Sequence, residues 1–263
     1  MYARPFRGYL MNTLTLKLLR AMLCASLASV WFTPAHASTI TTTVDSGYVG
    51  SHASLALDQN DFPIISYHDA ANKTLKLAAC TNTTCTNRIL ATVDEGDVGY
   101  FTSLALDEDG RPVISYFDDA NGDLKLAICN DRYCAKPHIS IVDEQGVVGR
   151  SSSLALDADG FAIISYFDNT NGSLKLAVCH DARCLDRSIT VVDDSRNVGS
   201  GSSLALNSNG LPVISYFDQQ NGDLKLATCY DATCAKKTIT VVDSKGIVGN
   251  HSSLALTGED LAI

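Results

Sequence analysis

The chain has 263 residues, a net charge of −9, nine cysteines and a single tryptophan. So acidic a chain excludes nucleic acid and anionic membrane as natural partners, because both would repel it. The acids are 25 Asp and only 4 Glu, a balance that suits turns and loops rather than helices.

Residues 1–37 carry Arg4, Arg7, Lys17 and Arg20 with no acid, then an apolar run from Ala21 to Phe32, then Ala35-His36-Ala37 before Ser38. That is the form of a secretory signal peptide cleaved near Ala37. The run is too short to cross a bilayer, which needs roughly 20 residues, and no later segment matches even that, so no membrane span is expected. Cys24 reads as leader filler. The expected location is outside the cytoplasm: secreted, periplasmic or at the cell surface. Without the leader the net charge becomes −13.

Ser-Leu-Ala-Leu then recurs at Ser54, Ser103, Ser153, Ser203 and Ser253, spaced by 49, 50, 50 and 50 residues. A period of that length marks a propeller, solenoid or array. Each unit reads as four strands, A to D, made of short Val/Ile/Leu/Tyr/Phe runs with no 3.6-residue apolar period. Asn121-Gly122, Asn171-Gly172 and Asn221-Gly222 predict hairpin turns between strands B and C, and Asp109-Gly110 and Asp159-Gly160 between A and B. Tight hairpins argue against the parallel pairing of a β-solenoid. The predicted fold is an all-β propeller of about 50-residue blades, with the propeller region spanning 38–263. It holds a lone strand D at 40–45, repeats at 46–94, 95–143, 144–193 and 194–243, and a partial repeat at 244–263. The array is either a five-bladed ring or a fragment of a larger propeller. The second is favoured, because Leu261-Ala262-Ile263 falls inside what should be a buried strand B.

The pattern S-L-A-L-D-x-x-G-x-P-x-I-S-Y-x-D followed by L-K-L-A resembles repeats of secreted bacterial β-propeller proteins, and more loosely the sialidase-like propellers, over residues 40–263. The Asp-box of the sialidase-like family, S-x-D-x-G-x-T-W, is absent, and the only tryptophan, Trp31, lies in the leader.

The remaining eight cysteines form C-x4-C pairs, one per repeat: Cys80/Cys85, Cys129/Cys134, Cys179/Cys184 and Cys229/Cys234. In an exported chain these read as disulfides, with the two sulfurs meeting across the hairpin between strands C and D. Zinc would need two pairs to converge from separate blades, and redox catalysis would need C-x-x-C. No resident cofactor is expected; Asp107-Glu108-Asp109-Gly110 has part of a calcium loop but too few positions for a whole one, and calcium is kept as an alternative.

In a propeller the D-to-A and B-to-C loops share one face. The ligand-binding candidates on that face are Asp69, Asp118, Asp168 and Asp218 at the ends of strand B, with Tyr100, Phe101, Arg150 and His68, which differ between repeats. The four Asp could form an acidic ring for a cation or sugar hydroxyls, although Asp before Asn-Gly commonly caps its own turn. Lys76, Lys125, Lys175 and Lys225 recur in strand C and are expected to pair with a repeated Asp. Tyr67, Tyr116, Tyr166 and Tyr216 are expected in the core. Glu95, Glu144 and the Asp ring are the carboxylates from which a hydrolytic pair could be drawn.

A repeat this regular shows little of the symmetry breaking a catalytic centre needs. The function expected is therefore a non-catalytic module binding an extracellular glycan or protein. The alternatives are a sialidase-like glycoside hydrolase or lyase fragment and an architectural repeat. Unlike acids, His and Arg gathered around the central opening would favour the enzyme.

Overall fold

Short apolar runs broken by Asn-Gly and Asp-Gly turns leave the repeats no way to form a long helix, and their turns bring each strand back beside the last. The computed structural model describes residues 41–263, and the signal peptide expected at 1–37 lies outside the described residues. Within them are sixteen strands and no helix. The first sheet holds β1 (Val49–Leu57), β2 (Pro63–Asp69), β3 (Thr74–Cys80) and β4 (Arg88–Glu95) in that order. The second holds β5 (Val98–Leu106), β6 (Pro112–Asp118), β7 (Asp123–Ile128) and β8 (His138–Asp143). The third holds β9 (Val148–Leu156), β10 (Ala162–Asp168), β11 (Ser173–Cys179) and β12 (Arg187–Asp193). The fourth holds β13 (Val198–Leu206), β14 (Pro212–Asp218), β15 (Asp223–Cys229) and β16 (Lys237–Asp243). All pairings are antiparallel. Thr41–Asp45 is not in a strand, and beyond β16 only an isolated bridge joins Leu256 to Ala262.

The first strand of each sheet is the inner one, and the repeated serines explain how successive sheets lock together there. The Ser-Leu-Ala-Leu serine of one blade accepts the Leu N–H of the next: Ser54 from Leu104, Ser103 from Leu154, Ser153 from Leu204 and Ser203 from Leu254, each at 3.0 Å. A second hydroxyl reaches back to a carbonyl of the preceding blade, Thr102 to His52 at 2.9 Å, Ser152 to Phe101 at 2.8 Å and Ser202 to Ser151 at 2.9 Å.

Farther out, an acid at the end of strand D clasps the next blade. Asp143 accepts from the Tyr166 hydroxyl at 2.7 Å and from Lys175 Nζ at 3.1 Å, and the same ammonium lies 2.9 Å from Asp168. Asp94 with Tyr116 and Lys125, and Asp193 with Tyr216 and Lys225, repeat the arrangement. Asp45 makes it for the first blade with Tyr67 and Lys76, although it lies outside any strand. Burial alone would raise the Asp118 carboxyl, but the hydrogen bonds from Lys125 and Asn121 outweigh it and hold it below the usual carboxylate range. Burial likewise opposes, and Asn171, Lys175, Lys225 and Asn221 overcome, at Asp168 and Asp218. The predicted Lys–Asp pairing is what the structure contains, and the four tyrosines are buried.

The apolar core lies between blades. Leu124, Leu126 and Val142 of the second pack against Val148, Leu154, Ile164 and Tyr166 of the third. The approach is close enough to demand glycine at one inner position: a Cβ on Gly149, whose φ is +102°, would lie 2.7 Å from Leu124 Cα. Coverage by a neighbour decides exposure. Leu104, Leu154 and Leu204 are each 8% exposed, while the equivalent Leu55, with no blade before it among the described residues, is 58% exposed.

The four C-x4-C pairs are disulfides as expected: Cys80–Cys85, Cys129–Cys134, Cys179–Cys184 and Cys229–Cys234, with Cα–Cα separations of 4.7–4.9 Å. Their placement corrects the expectation of a bridge across the hairpin. Cys85, Cys134, Cys184 and Cys234 all precede strand D, which begins at Arg88, His138, Arg187 and Lys237. Each sits within the turn, its N–H donating to the carbonyl three residues earlier, of Asn82, Asp131, Asp181 and Asp231. Each also takes a left-handed backbone, with φ of 53°, 56°, 54° and 56°. The reason is that the turn folds back before strand D starts, so the second sulfur returns to the end of strand C and the bridge staples the turn to that strand alone. All four are buried, so the staple also plugs the outer end of the core.

Candidate active site at the central mouth

Where each inner strand begins, its register against strand B slips, as between Val98 and Tyr100 and again between Tyr100 and Ser103. Such a bulge puts one residue in a left-handed conformation and re-aims its side chain. That residue is His52, Phe101, Ser151, Gly201 or His251 in successive repeats, with φ of 54°, 53°, 54°, 58° and 57°. All five line one cavity of about 220 Å³ at the centre of the face carrying the D-to-A loops. Only Gly201 adopts this backbone without strain; for the others it costs of order 1–3 kcal/mol each. The same shape thus presents two imidazoles, a phenyl ring, a hydroxyl and a bare backbone to one opening.

Beside this cavity, around the first three blades, unlike groups cluster next to His52 and Phe101. The His52 ring lies 4.5 Å from that of Phe101 and 5.7 Å from that of Tyr100. His68 packs beneath Tyr100 with centroids 4.0 Å apart. The Tyr100 hydroxyl donates to Asp97 at 3.2 Å, and Lys73 Nζ lies 2.6 Å from the same carboxylate. The Arg150 guanidinium sits 5.1 Å over the Phe117 ring and reaches Asp119 at 3.5 Å. The Lys73 hydrogen bond, ahead of any other influence, holds the Asp97 carboxyl below its ordinary range. Burial lowers both His68 and His52, for His52 with help from His68 and His251, so both imidazoles favour the neutral form.

Of the residues anticipated from sequence, the structure brings His68, Tyr100, Phe101 and Arg150 together here. It places Asp69, Asp118, Asp168 and Asp218 elsewhere, in the clasps. Asp118 Oδ1 accepts the backbone N–H groups of Ala120 and Asn121, and its Oδ2 accepts from Asn121 Nδ2 at 2.9 Å and lies 2.8 Å from Lys125. Asp69, Asp168 and Asp218 cap their own turns the same way, and all four are at most 2% exposed. Asp107 also caps its turn, accepting from the N–H groups of Asp109 and Arg111. Among the described residues no group of three or more His, Cys, Asp or Glu could hold a metal ion.

Glu95 lines a separate groove with Asp69, Asn72 and Lys76, away from the mouth. Asp123, paired with Asp118 across the turn, is pushed up by burial first, then by Asp118 and Glu144, but it is itself buried. Sequence reasoning singled out none of His52, Asp97, Asp119 and His251. The signal was present: the residue two before each Ser-Leu-Ala-Leu serine is the one that changes chemistry from repeat to repeat.

No protein-family model matches the chain, and no curated protein matches it in sequence. Solved structures do resemble it. A bifunctional GH43-CE protein of Bacteroides eggerthii superposes with a TM-score of 0.51 at 15% identity, over 80% of this chain and 30% of its own length. An α-L-arabinofuranosidase from Lactobacillus brevis gives 0.50 at 11% identity over 80% of each chain. A GH43 β-1,3-galactosidase with galactodeoxynojirimycin gives 0.50 at 8% identity, over 72% of this chain and 75% of the other. The chain thus spans less than a third of the first of these proteins. None of the three is a sialidase. These three are carbohydrate-active enzymes by name, and that corrects the expectation of a non-catalytic binding module. The premise behind that expectation fails as well, since the mouth is not symmetric. At such low identity the likeness shows the fold, and on that ground the chain is a β-propeller.

Proposed function

We propose that this propeller, or the larger protein it belongs to, hydrolyses glycosidic bonds outside the cytoplasm, on the side of the central mouth formed by the first three blades. The observation that carries this reading is the cluster of His52, His68, Tyr100, Asp97, Asp119 and Arg150 beside the central cavity of an otherwise repetitive molecule. Glycoside hydrolysis needs two carboxyl groups flanking the scissile bond and an environment that stabilises a cationic transition state. Asp97, kept ionised by Lys73, suits the role of base or charge stabiliser. Asp119, held only by Arg150 at 3.5 Å, is the second carboxyl. The Asp118–Asp123 pair, with opposite shifts, is sealed from any substrate. Phe101 and Tyr100 offer aromatic faces against which the C–H face of a sugar can pack. The resemblance to galactosidases and an arabinofuranosidase supplies the first probes.

The test is product release by the oxidised chain from β-1,3-galactotriose and from 4-nitrophenyl α-L-arabinofuranoside, followed by a wider glycan panel. Asp97→Asn and Asp119→Asn are each expected to lower kcat about 100-fold or more. Activity untouched by both substitutions would place the chemistry elsewhere, and no hydrolysis of any glycan would refute the reading.

A further inference from the structure

We infer that His68 reads the substrate of this mouth, its free ring nitrogen meeting a sugar hydroxyl once the Tyr100 ring gives way; this rests on the glycan-acting reading above. His68 stands where the other three complete repeats carry Phe117, Phe167 and Phe217, so the fold itself calls for a phenyl ring there. The imidazole is 2% exposed. Its Nδ1 lies 3.1 Å from Ser51 Oγ, and its Nε2 is sealed from solvent with no hydrogen-bond partner. A buried polar atom left unpaired is costly, and each one calls for an explanation. Phenylalanine would avoid that cost, so the histidine is explained by something the resting structure does not contain.

Tyr100 determines how a ligand reaches that atom. Its ring covers His68, and its hydroxyl is tethered to Asp97. Turning that one side chain aside uncovers the imidazole nitrogen and an oxygen of Asp97 together, beside the Phe101 and His52 rings. A neutral imidazole with Nδ1 occupied by Ser51 offers a single remaining group, and a hydroxyl can either donate to it or accept from it. A ligand with an apolar face and a hydroxyl-bearing edge satisfies the stacking wall, the nitrogen and the carboxylate at once, and that describes a sugar ring.

The decisive variant is His68→Phe, which restores the residue of the other repeats and so should fold. Its melting temperature is expected to equal or exceed that of the unaltered chain, while kcat/KM on β-1,3-galactotriose, or on whichever panel glycan proves best, falls roughly 10- to 100-fold. His68→Gln, whose amide reaches the position of Nε2, should recover part of the loss. In nitrogen-15 spectra the His68 Nε2 resonance should move when that glycan is added. Unchanged kcat/KM in the Phe variant, or an unmoved resonance at saturating glycan, would overturn the inference and leave the hydrolytic reading standing. An unaltered chain that neither binds nor cleaves any glycan would remove both.

Discussion

The blade junctions and the central mouth use one backbone in opposite ways. At each junction an Asp, a Tyr, a Lys and a second Asp recur with nearly the same distances. At the mouth the backbone repeats just as closely, φ staying between 53° and 58°, while the side chain runs His, Phe, Ser, Gly, His. A residue that recurs at every junction serves the same structural purpose each time. A residue that changes while the strained backbone beneath it does not is not needed for that backbone, and its chemistry is free to serve a ligand.

Acid should separate the two regions most sharply. Asp45, Asp69, Asp118, Asp168, Asp193 and Asp218 have folded pKa values below their ordinary ones, because hydrogen bonds from Lys, Tyr, Asn and neighbouring groups outweigh burial. Their contribution to stability is present above the unfolded value near pH 4 and is lost as pH falls through the folded values. Asp123 is raised and works the other way, but it is one group against six. Cooperative unfolding is therefore expected below about pH 4, followed by circular dichroism; a chain still fully folded well below that range would show that the clasps do not hold it. Breaking a single clasp comes next. Lys175→Met leaves Asp143 and Asp168 without their cation and should cost about 3–5 kcal/mol in denaturant unfolding, and a loss below about 1 kcal/mol would mean the clasp is decorative.

Gly149→Ala places a Cβ against Leu124 in a backbone conformation that side chains avoid, with an expected loss of about 2–3 kcal/mol by thermal melting. Replacing Cys179 and Cys184 together by Ser should cost about 2 kcal/mol, the entropy of so short a loop. The smallest effect is at the mouth, and its sign is reversed. Phe101→Gly relieves a left-handed phenylalanine and should stabilise by up to about 1 kcal/mol while lowering glycan turnover. Destabilisation of the same size would mean the Phe101 ring serves packing after all.

The sequence made the repeating part legible because repetition multiplies a weak signal. Strand runs, Asn-Gly turns, C-x4-C pairs and the Lys–Asp pairing could all be read by comparing one repeat with the next. Spacing revealed which cysteines pair, but not that Cys85, Cys134, Cys184 and Cys234 stop short of strand D, because that depends on the left-handed backbone of the turn. The mouth was legible only in part, for the same reason that the repeats were clear. Aligning repeats directs attention to what recurs, so Asp118 and its equivalents looked like a site, whereas Lys125 and the turn amides occupy them. Which loops meet at the centre is set by the bulge after each Val-Gly, and no single repeat displays it. His68 was noticed as an exception among phenylalanines, but its unpaired nitrogen and the Tyr100 ring above it depend on a contact between neighbouring blades.

Two sets of hydroxyl links between inner strands, Ser-Leu-Ala-Leu serine to the next Leu N–H and Thr102, Ser152 or Ser202 back to a carbonyl, join residues 50 or 51 positions apart. A gene that duplicates or deletes one such interval leaves every donor facing an acceptor of the same kind, so blades can be copied without redesigning a junction. Copying cannot preserve the mouth in this way, because each new unit adds another bulge residue to the same opening and redraws the cavity. The architecture can thus grow by whole modules, while the chemistry at its centre has to be recomposed by point substitution.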